Sequence, residues 1–169
     1  LGAGTSGRLG VLDAVECPPT FGTTPDRVQA VLAGGCDAMW ISQEGTEDDV
    51  TAAQRDLAER GLHKEDVLVA ISASGRTPYT LGAVKFATTL DVFTVGISCN
   101  PKSDLAALTD VAITPVVGPE IITGSTRMKA GTAQKLVLNM ISSGVMVRMG
   151  YVVGNAMVNV QLTNEKLRR

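Results

Sequence analysis

Five hydroxyl side chains in two short stretches suggest what chemistry this chain could do. Thr5 and Ser6 stand in "GAGTSG", and Ser72, Ser74 and Thr77 in "SASGRTP". Each stretch leads into a helical pattern, whose free N–H groups and positive dipole end favour an anion. Glycine and serine between a strand and a helix are also what an ordinary turn and N-cap require. Two such turns together favour a ligand. Hydroxyls plus backbone amides, without a magnesium-binding carboxylate or a Walker lysine, suit the monoester phosphate of a small metabolite. The first stretch also fits G-x-G-x-x-G, but a dinucleotide needs an acidic residue at the tip of the second strand, about 20 residues on. The stretch "VQAVLAGG" ends in Ala33, Gly34 and Gly35 without one, and Asp37 lies just past it. The fingerprint therefore reads as a false match, and no nucleotide cofactor is expected.

The elements that must position these turns alternate along the chain. "VQAVLAGG" from Val28, "DVLVAIS" from Asp66, "VFTVGIS" from Val92 and "DVAITPV" from Asp110 read as buried strands. Helices are expected over Gly7 to Glu16, Glu47 to Arg60 and Pro78 to Leu90, near Asp104, and from Thr126 to Arg148. Such alternation implies an α/β fold, a three-layer sandwich of a parallel sheet flanked by helices, flavodoxin-like or Rossmann-like. Ligands in these sheets sit beyond the carboxyl ends of the strands. No internal repeat or second domain is visible, so residues 1–169 read as a single domain. Leu1 looks like the last residue of a strand, which suggests a fragment. The tail "QLTNEKLRR" is polar and suits a helix.

Composition narrows the function classes. The 169 residues are 44% apolar and 19% charged, with a net charge of −2. That balance is ordinary for a globular protein and offers no basic field to nucleic acid or a membrane surface. The apolar run "LVLNMISSGVMV" from Leu136 falls short of the roughly 20 residues a bilayer span takes. Cys17, Cys36 and Cys99 are widely spaced and form no C-x-x-C pair. They suit free thiols in a reducing compartment. His63 is the sole histidine, which excludes a multi-histidine metal site.

Longer motifs carry a resemblance across the whole chain. "GAGTSGRLGVLDAVECPPTFG", "SASGRTPY", "VGISCNP" and "ITGSTRMKAGTAQKLVLNMIS" resemble the N-acetylmuramic acid 6-phosphate etherase family of the sugar isomerase (SIS) domain superfamily. The resemblance implies a SIS-type fold, a homodimer with further helical parts, and no metal or other cofactor. It also implies cleavage of the D-lactyl ether in the cytoplasm, by elimination and water addition, giving N-acetylglucosamine 6-phosphate and D-lactate. Two glutamates that the family uses match Glu16 in "DAVECPP" and Glu47 in "EGTEDD". Val15 departs from the pattern, standing where the family commonly has serine.

The sequence around these glutamates suggests how their roles divide. Glu47 is expected to open a helix capped by Thr46, with Asp49 at the capping-box position, where the dipole favours the charged form a base needs. Glu16 is expected to end a helix stopped by Cys17, Pro18 and Pro19. A carboxylate is disfavoured at that end, which suits the acid that protonates lactate. Glu44 reads as a supporting or solvated group. Arg127 and Lys129, at the start of the long helix, call for an anion. Arg127 is expected to meet the substrate's phosphate or carboxylate, or to tie the helix to Glu120. Arg8 and Arg76 read as surface or dimer contacts, and Met128, Met140, Met146 and Met149 as core. Two rival functions share the turns. A sensor resembling glucokinase regulatory protein would bind phosphosugars without turning them over. An aldose-ketose isomerase would move a C2 proton without an acid aimed at C3.

Overall fold

The computed structural model describes residues 1–159, so the expected helical tail lies outside the described residues. Three strands, β1 (Val67–Ile71), β2 (Phe93–Ile97) and β3 (Val111–Ile113), form a parallel sheet in that order. Ile71 stands opposite Ile97, and Ile97 opposite Ile113. On the free side of β1, the Leu1 amine donates to Val69 O (2.7 Å) and Ile71 N to Leu1 O (2.9 Å). Beyond Gly2, Leu32 adds one more parallel bridge. The spatial order is thus Leu32, Gly2, β1, β2, β3. The chain winds one way to Leu32 and the other way from β1 onward. That reversal makes a topological switch point between Gly2 and Ile71.

The strand expected over "VQAVLAGG" is reduced to this bridge. Its ladder partner is Leu1–Gly2, and only two bonds form, Gly2 N to Val31 O and Ala33 N to Gly2 O, both 3.1 Å. Among the described residues, 28–30 pair with no strand.

Side chains alternate across β1 as a two-residue period requires. Leu68 and Ala70 join one core with Leu57, Tyr79, Ala83 and Leu105. These come from α2 (Val50–Glu59), α3 (Pro78–Thr89) and α4 (Asp104–Leu108). Val69 and Ile71 face the other way, toward Leu9, Val137 and Leu138 of α1 (Gly4–Phe21) and α5 (Lys129–Arg148). The expected three-layer sandwich is therefore present. Ile71 and Ile97 are almost wholly buried, each stabilising the sheet by about 1.5–3 kcal/mol. Of the four methionines expected in the core, only Met146 is buried. Met128, Met140 and Met149 lie 40% or more exposed, Met140 on an outward face of α5 and the other two at its caps.

Several helix boundaries differ from expectation. α1 begins at Gly4, three residues before Gly7, so that Gly7 N already bonds Ala3 O at 3.2 Å. α1 does not stop at Glu16 but runs through Pro18 and Pro19 to Phe21, ending where Gly22 (φ 69°) donates to Pro18 O at 2.8 Å. Prolines this far inside a helix each forfeit an N–H and crowd the carbonyl four residues back, at a cost of about 3 kcal/mol or more. Packing of Cys17 and Phe21 against Met146 holds the last turn in place. α2 begins after Glu47, not at it, because Asp49 is the cap: its Oδ1 accepts from Thr51 N (3.0 Å) and Ala52 N (2.9 Å). The expected cap, Thr46, instead donates its hydroxyl to Gln43 O (2.9 Å). α5 starts at Lys129, three residues later than Thr126.

Candidate functional site

The two hydroxyl-rich turns leave the sheet from adjacent strand ends, at the switch point. Gly2 is pressed so closely there that a Cβ would sit 2.9 Å from both Ile71 O and Gly7 N. The chain then enters α1, whose first internal bond runs from Gly7 N to Ala3 O (3.2 Å). The N–H groups of Gly4, Thr5 and Ser6 precede that bond and point out of the helix end. Ala3, at the N-cap, supplies no side-chain acceptor for them. Thr5 is half-buried, while Ser6 is buried with its Oγ 2.9 Å from Gln134 Oε1 on α5.

The second turn organises its own hydroxyls. Ser72, 3% exposed, lies 2.8 Å from Thr77 Oγ1 and 3.4 Å from Ser74 Oγ. Ser72 Oγ also accepts from Gly75 N (3.1 Å), and Ser74 Oγ from Arg76 N (3.2 Å). Thr77 then caps α3 by position without a side-chain bond to it, and Pro78 opens the helix. Thr5, Ser6, Ser72, Ser74 and Thr77 are thus all brought to the C-terminal ends of two neighbouring strands.

Arg127 reaches this neighbourhood through its loop. A Cβ on Gly131 would lie 3.5 Å from Thr5 Cγ2 and 3.6 Å from Thr126 O, so the 126–131 segment adjoins the first turn. Arg127 itself is exposed. It does not tie the helix to Glu120. The Glu120 carboxylate accepts from Ala130 N (2.9 Å) and Lys129 N (3.0 Å), capping α5, while Lys129 Nζ donates to Pro119 O (2.9 Å). The anion expected at this helix start is therefore Glu120. Those backbone bonds, Ala130's first, hold its carboxyl below the usual range.

The two glutamates lie outside their expected local settings. Glu47 is exposed in a 3-10 turn, Thr46–Asp48, that packs against α3, the helix entered from the second turn. Glu16 is exposed on α1, ten residues beyond Ser6, which places it about 15 Å along the helix axis from the first turn. Neither glutamate sits at the α-helix end that would have divided their roles.

Two open clefts lie beside the described elements, and the five hydroxyls line neither of them. One of about 490 Å³ lies between Gly34, Gly35 and α2, beside Thr46 and Asp49. The other, about 380 Å³, is mainly apolar and includes Val15, Pro18 and Trp40. Among the described residues, no group of acidic, cysteine and histidine side chains could hold a metal ion. Likewise, no described helix is long and apolar enough to cross a membrane.

Sequence reasoning missed Gln134. It lies on the stripe Ala130, Gln134, Val137, Leu138, at spacings of four, seven and eight residues, which packs inward. A polar residue interrupting an apolar helical stripe was the available signal.

Helices on both faces of a parallel sheet, with paired ligand-ready turns at its switch point, define a doubly wound α/β protein. Residues 51–143 match the SIS domain family, and residues 1–88 match the glucokinase regulatory protein N-terminal SIS domain. The chain belongs to the SIS domain family. It is similar to N-acetylmuramic acid 6-phosphate etherases of Pasteurella multocida (59% identity over 99% of this chain and 56% of the relative) and Rhodopirellula baltica (58%, 99% and 55%). It thus spans about half the length of these relatives. Solved structures share the fold. The protein c3406 of E. coli CFT073, solved as a ligand complex, has a TM-score of 0.65 at 19% identity, over 89% of this chain and 69% of that one. The Vibrio vulnificus NanR protein complexed with ManNAc-6P has a TM-score of 0.57 at 18% identity, over 88% and 48%.

Proposed function

We propose that this chain is the SIS-domain part of an N-acetylmuramic acid 6-phosphate etherase. It cleaves the D-lactyl ether of its substrate to give N-acetylglucosamine 6-phosphate and D-lactate. Identity of 53–59% to enzymes of that name, over nearly the whole chain, carries the reading. The 6-phosphate lies between the two turns, held by the α1 amides and the hydroxyls of Thr5, Ser6, Ser72, Ser74 and Thr77, with Arg127 reaching in from its loop.

Ring opening exposes the C1 aldehyde and acidifies the C2 proton. Glu47 removes that proton, the C3–O bond breaks, and Glu16 delivers a proton to the departing lactate oxygen. Water then adds at C3 and a proton returns to C2, so the sum is hydrolysis of the ether. Acid–base help of this kind is worth about 10²–10⁴-fold.

A hexose phosphate anchored at the start of α1 cannot extend about 15 Å to the same chain's Glu16 and still leave C2 to Glu47. The reading therefore includes a homodimer in which Glu16 serves the partner's site. Exposed Leu12, Val15 and Trp40 around that part of α1 suit a covered surface. Three cysteines outside any disulfide suit action in the cytoplasm.

The test is lactate release by the native-length protein, run in deuterated water. Glu16→Gln keeps C2 exchange while losing lactate release, whereas Glu47→Gln loses both. Mixing Glu16→Gln with Ser72→Ala subunits restores activity above either parent. No lactate from the wild type would sink the reading and leave a phosphosugar sensor. Equal loss of exchange in both glutamate variants would sink the division of roles.

A further inference from the structure

The amide of Gln134 is wholly buried, and its Nε2 has no hydrogen-bond partner among the described residues, while the other end of the same amide lies 2.9 Å from Ser6 Oγ. A glutamine amide is two-ended: a half turn about its last bond exchanges oxygen and nitrogen with almost no change in shape. The two orientations differ in what they leave unmet. With oxygen toward Ser6, a buried NH₂ keeps two N–H groups without an acceptor, and the Ser6 proton is committed to the protein. With nitrogen toward Ser6, one N–H is satisfied, and what stays unmet is one N–H and a carbonyl in place of two N–H groups. Buried carbonyls are left under-satisfied more often than buried N–H groups are orphaned.

We infer that Gln134 is a positioning residue: its side-chain N–H donates to Ser6 Oγ, leaving the Ser6 hydroxyl proton for the oxygen of a bound phosphate monoester. The inference rests on the phosphate reading above. Ser6 belongs to the first turn of α1, where its own N–H and those of Gly4 and Thr5 already point toward an anion. A serine whose proton was committed to Gln134 would turn lone pairs toward that anion instead. The donor orientation makes side chain and backbone act in one sense. Residue 134 thus sets the polarity of a hydroxyl 128 positions earlier in the chain.

The test measures the dissociation constant of N-acetylglucosamine 6-phosphate and the kcat and KM of lactate release, on the native-length protein. Gln134→Met keeps the side chain's length but cannot donate. We expect binding about threefold weaker, an equal rise in KM and an unchanged kcat. In a Ser6→Ala background, itself about tenfold weaker, the same change should have no further effect. Gln134→Glu is the second variant, should the methionine protein fail to fold. Relative to wild type at the same pH, its carboxylate takes the Ser6 proton and weakens binding about tenfold or more at pH 8. The loss shrinks as the carboxyl protonates at lower pH and regains a donor.

Tighter or unchanged binding by Gln134→Met would overturn the inference, because the opposite orientation frees the Ser6 proton when Gln134 is removed. A Gln134→Met loss that persists at full size without the Ser6 hydroxyl would overturn it too, as would a pH-independent Gln134→Glu. If Ser6→Ala alone binds the phosphosugar normally, the phosphate reading itself falls. A weakened Ser6→Ala beside a neutral Gln134→Met sinks only the role of Gln134.

Discussion

The two hydroxyl-rich turns occupy equivalent places, each following a strand and opening a helix, yet they are stabilised in opposite ways. In the second turn Ser72, Ser74 and Thr77 bond to one another and to the N–H groups of Gly75 and Arg76, all within six residues. In the first, Ser6 is held from across the molecule by Gln134. The second is a local device that the chain builds from its own neighbours. The first exists only because α1 and α5 pack together. Two sites with the same apparent motif therefore differ in what can break them.

The largest expected effect falls on the local turn. Gly75 has φ +67°, and a Cβ there would run into the Ser103 side chain, so Gly75→Ala should destabilise the protein by about 3 kcal/mol. Denaturant unfolding measures it, and a wild-type midpoint would refute the rigidity assigned to this turn. Ser72→Ala should come next. It leaves Gly75 N without its side-chain acceptor and removes a phosphate donor, lowering kcat/KM for lactate release about 100-fold. Ser6→Ala should cost about tenfold, mainly in KM, since its backbone N–H still faces the ligand. If these two losses were reversed in size, the contrast between the turns would be wrong.

The smallest effect concerns Glu120. Its folded carboxyl is held below the unfolded value, so its stabilisation of α5 is present above the ordinary glutamate range. That stabilisation is lost as pH falls through the lower, folded value. Glu120→Gln should lower Tm slightly at pH 7, and the gap from wild type should shrink steadily as pH falls below the ordinary glutamate range. A Tm gap that is constant with pH would refute the capping role.

What the sequence disclosed follows the same division. β1, β2, α3 and α4 were legible because their signals are short-range: compact apolar runs for the strands, and helical patterns from Pro78 and near Asp104. The five hydroxyls were legible for the same reason. The boundaries that failed were decided by distant contacts. Pro18 and Pro19 read as a stop, but packing of Cys17 and Phe21 on Met146 extends the helix through them. At Glu47 the error was local: Asp49 outcompeted Thr46 as the cap because its carboxylate reaches two N–H groups at once. Gln134 was missed because nothing near it in the chain marks its partner as Ser6.

The span from Ser6 to Gln134 also bears on the order of assembly during synthesis. A chain emerging from the ribosome has residues 72–77 available to close on themselves long before residue 134 exists, and contacts between distant residues form late because loop closure opposes them. A nascent chain released before α5 would carry one finished turn beside one unfinished, with Leu9 and Ile71 still uncovered where Val137 and Leu138 belong. Premature termination before α5 would thus yield a species prone to self-association, with the first turn completed only once α5 had packed.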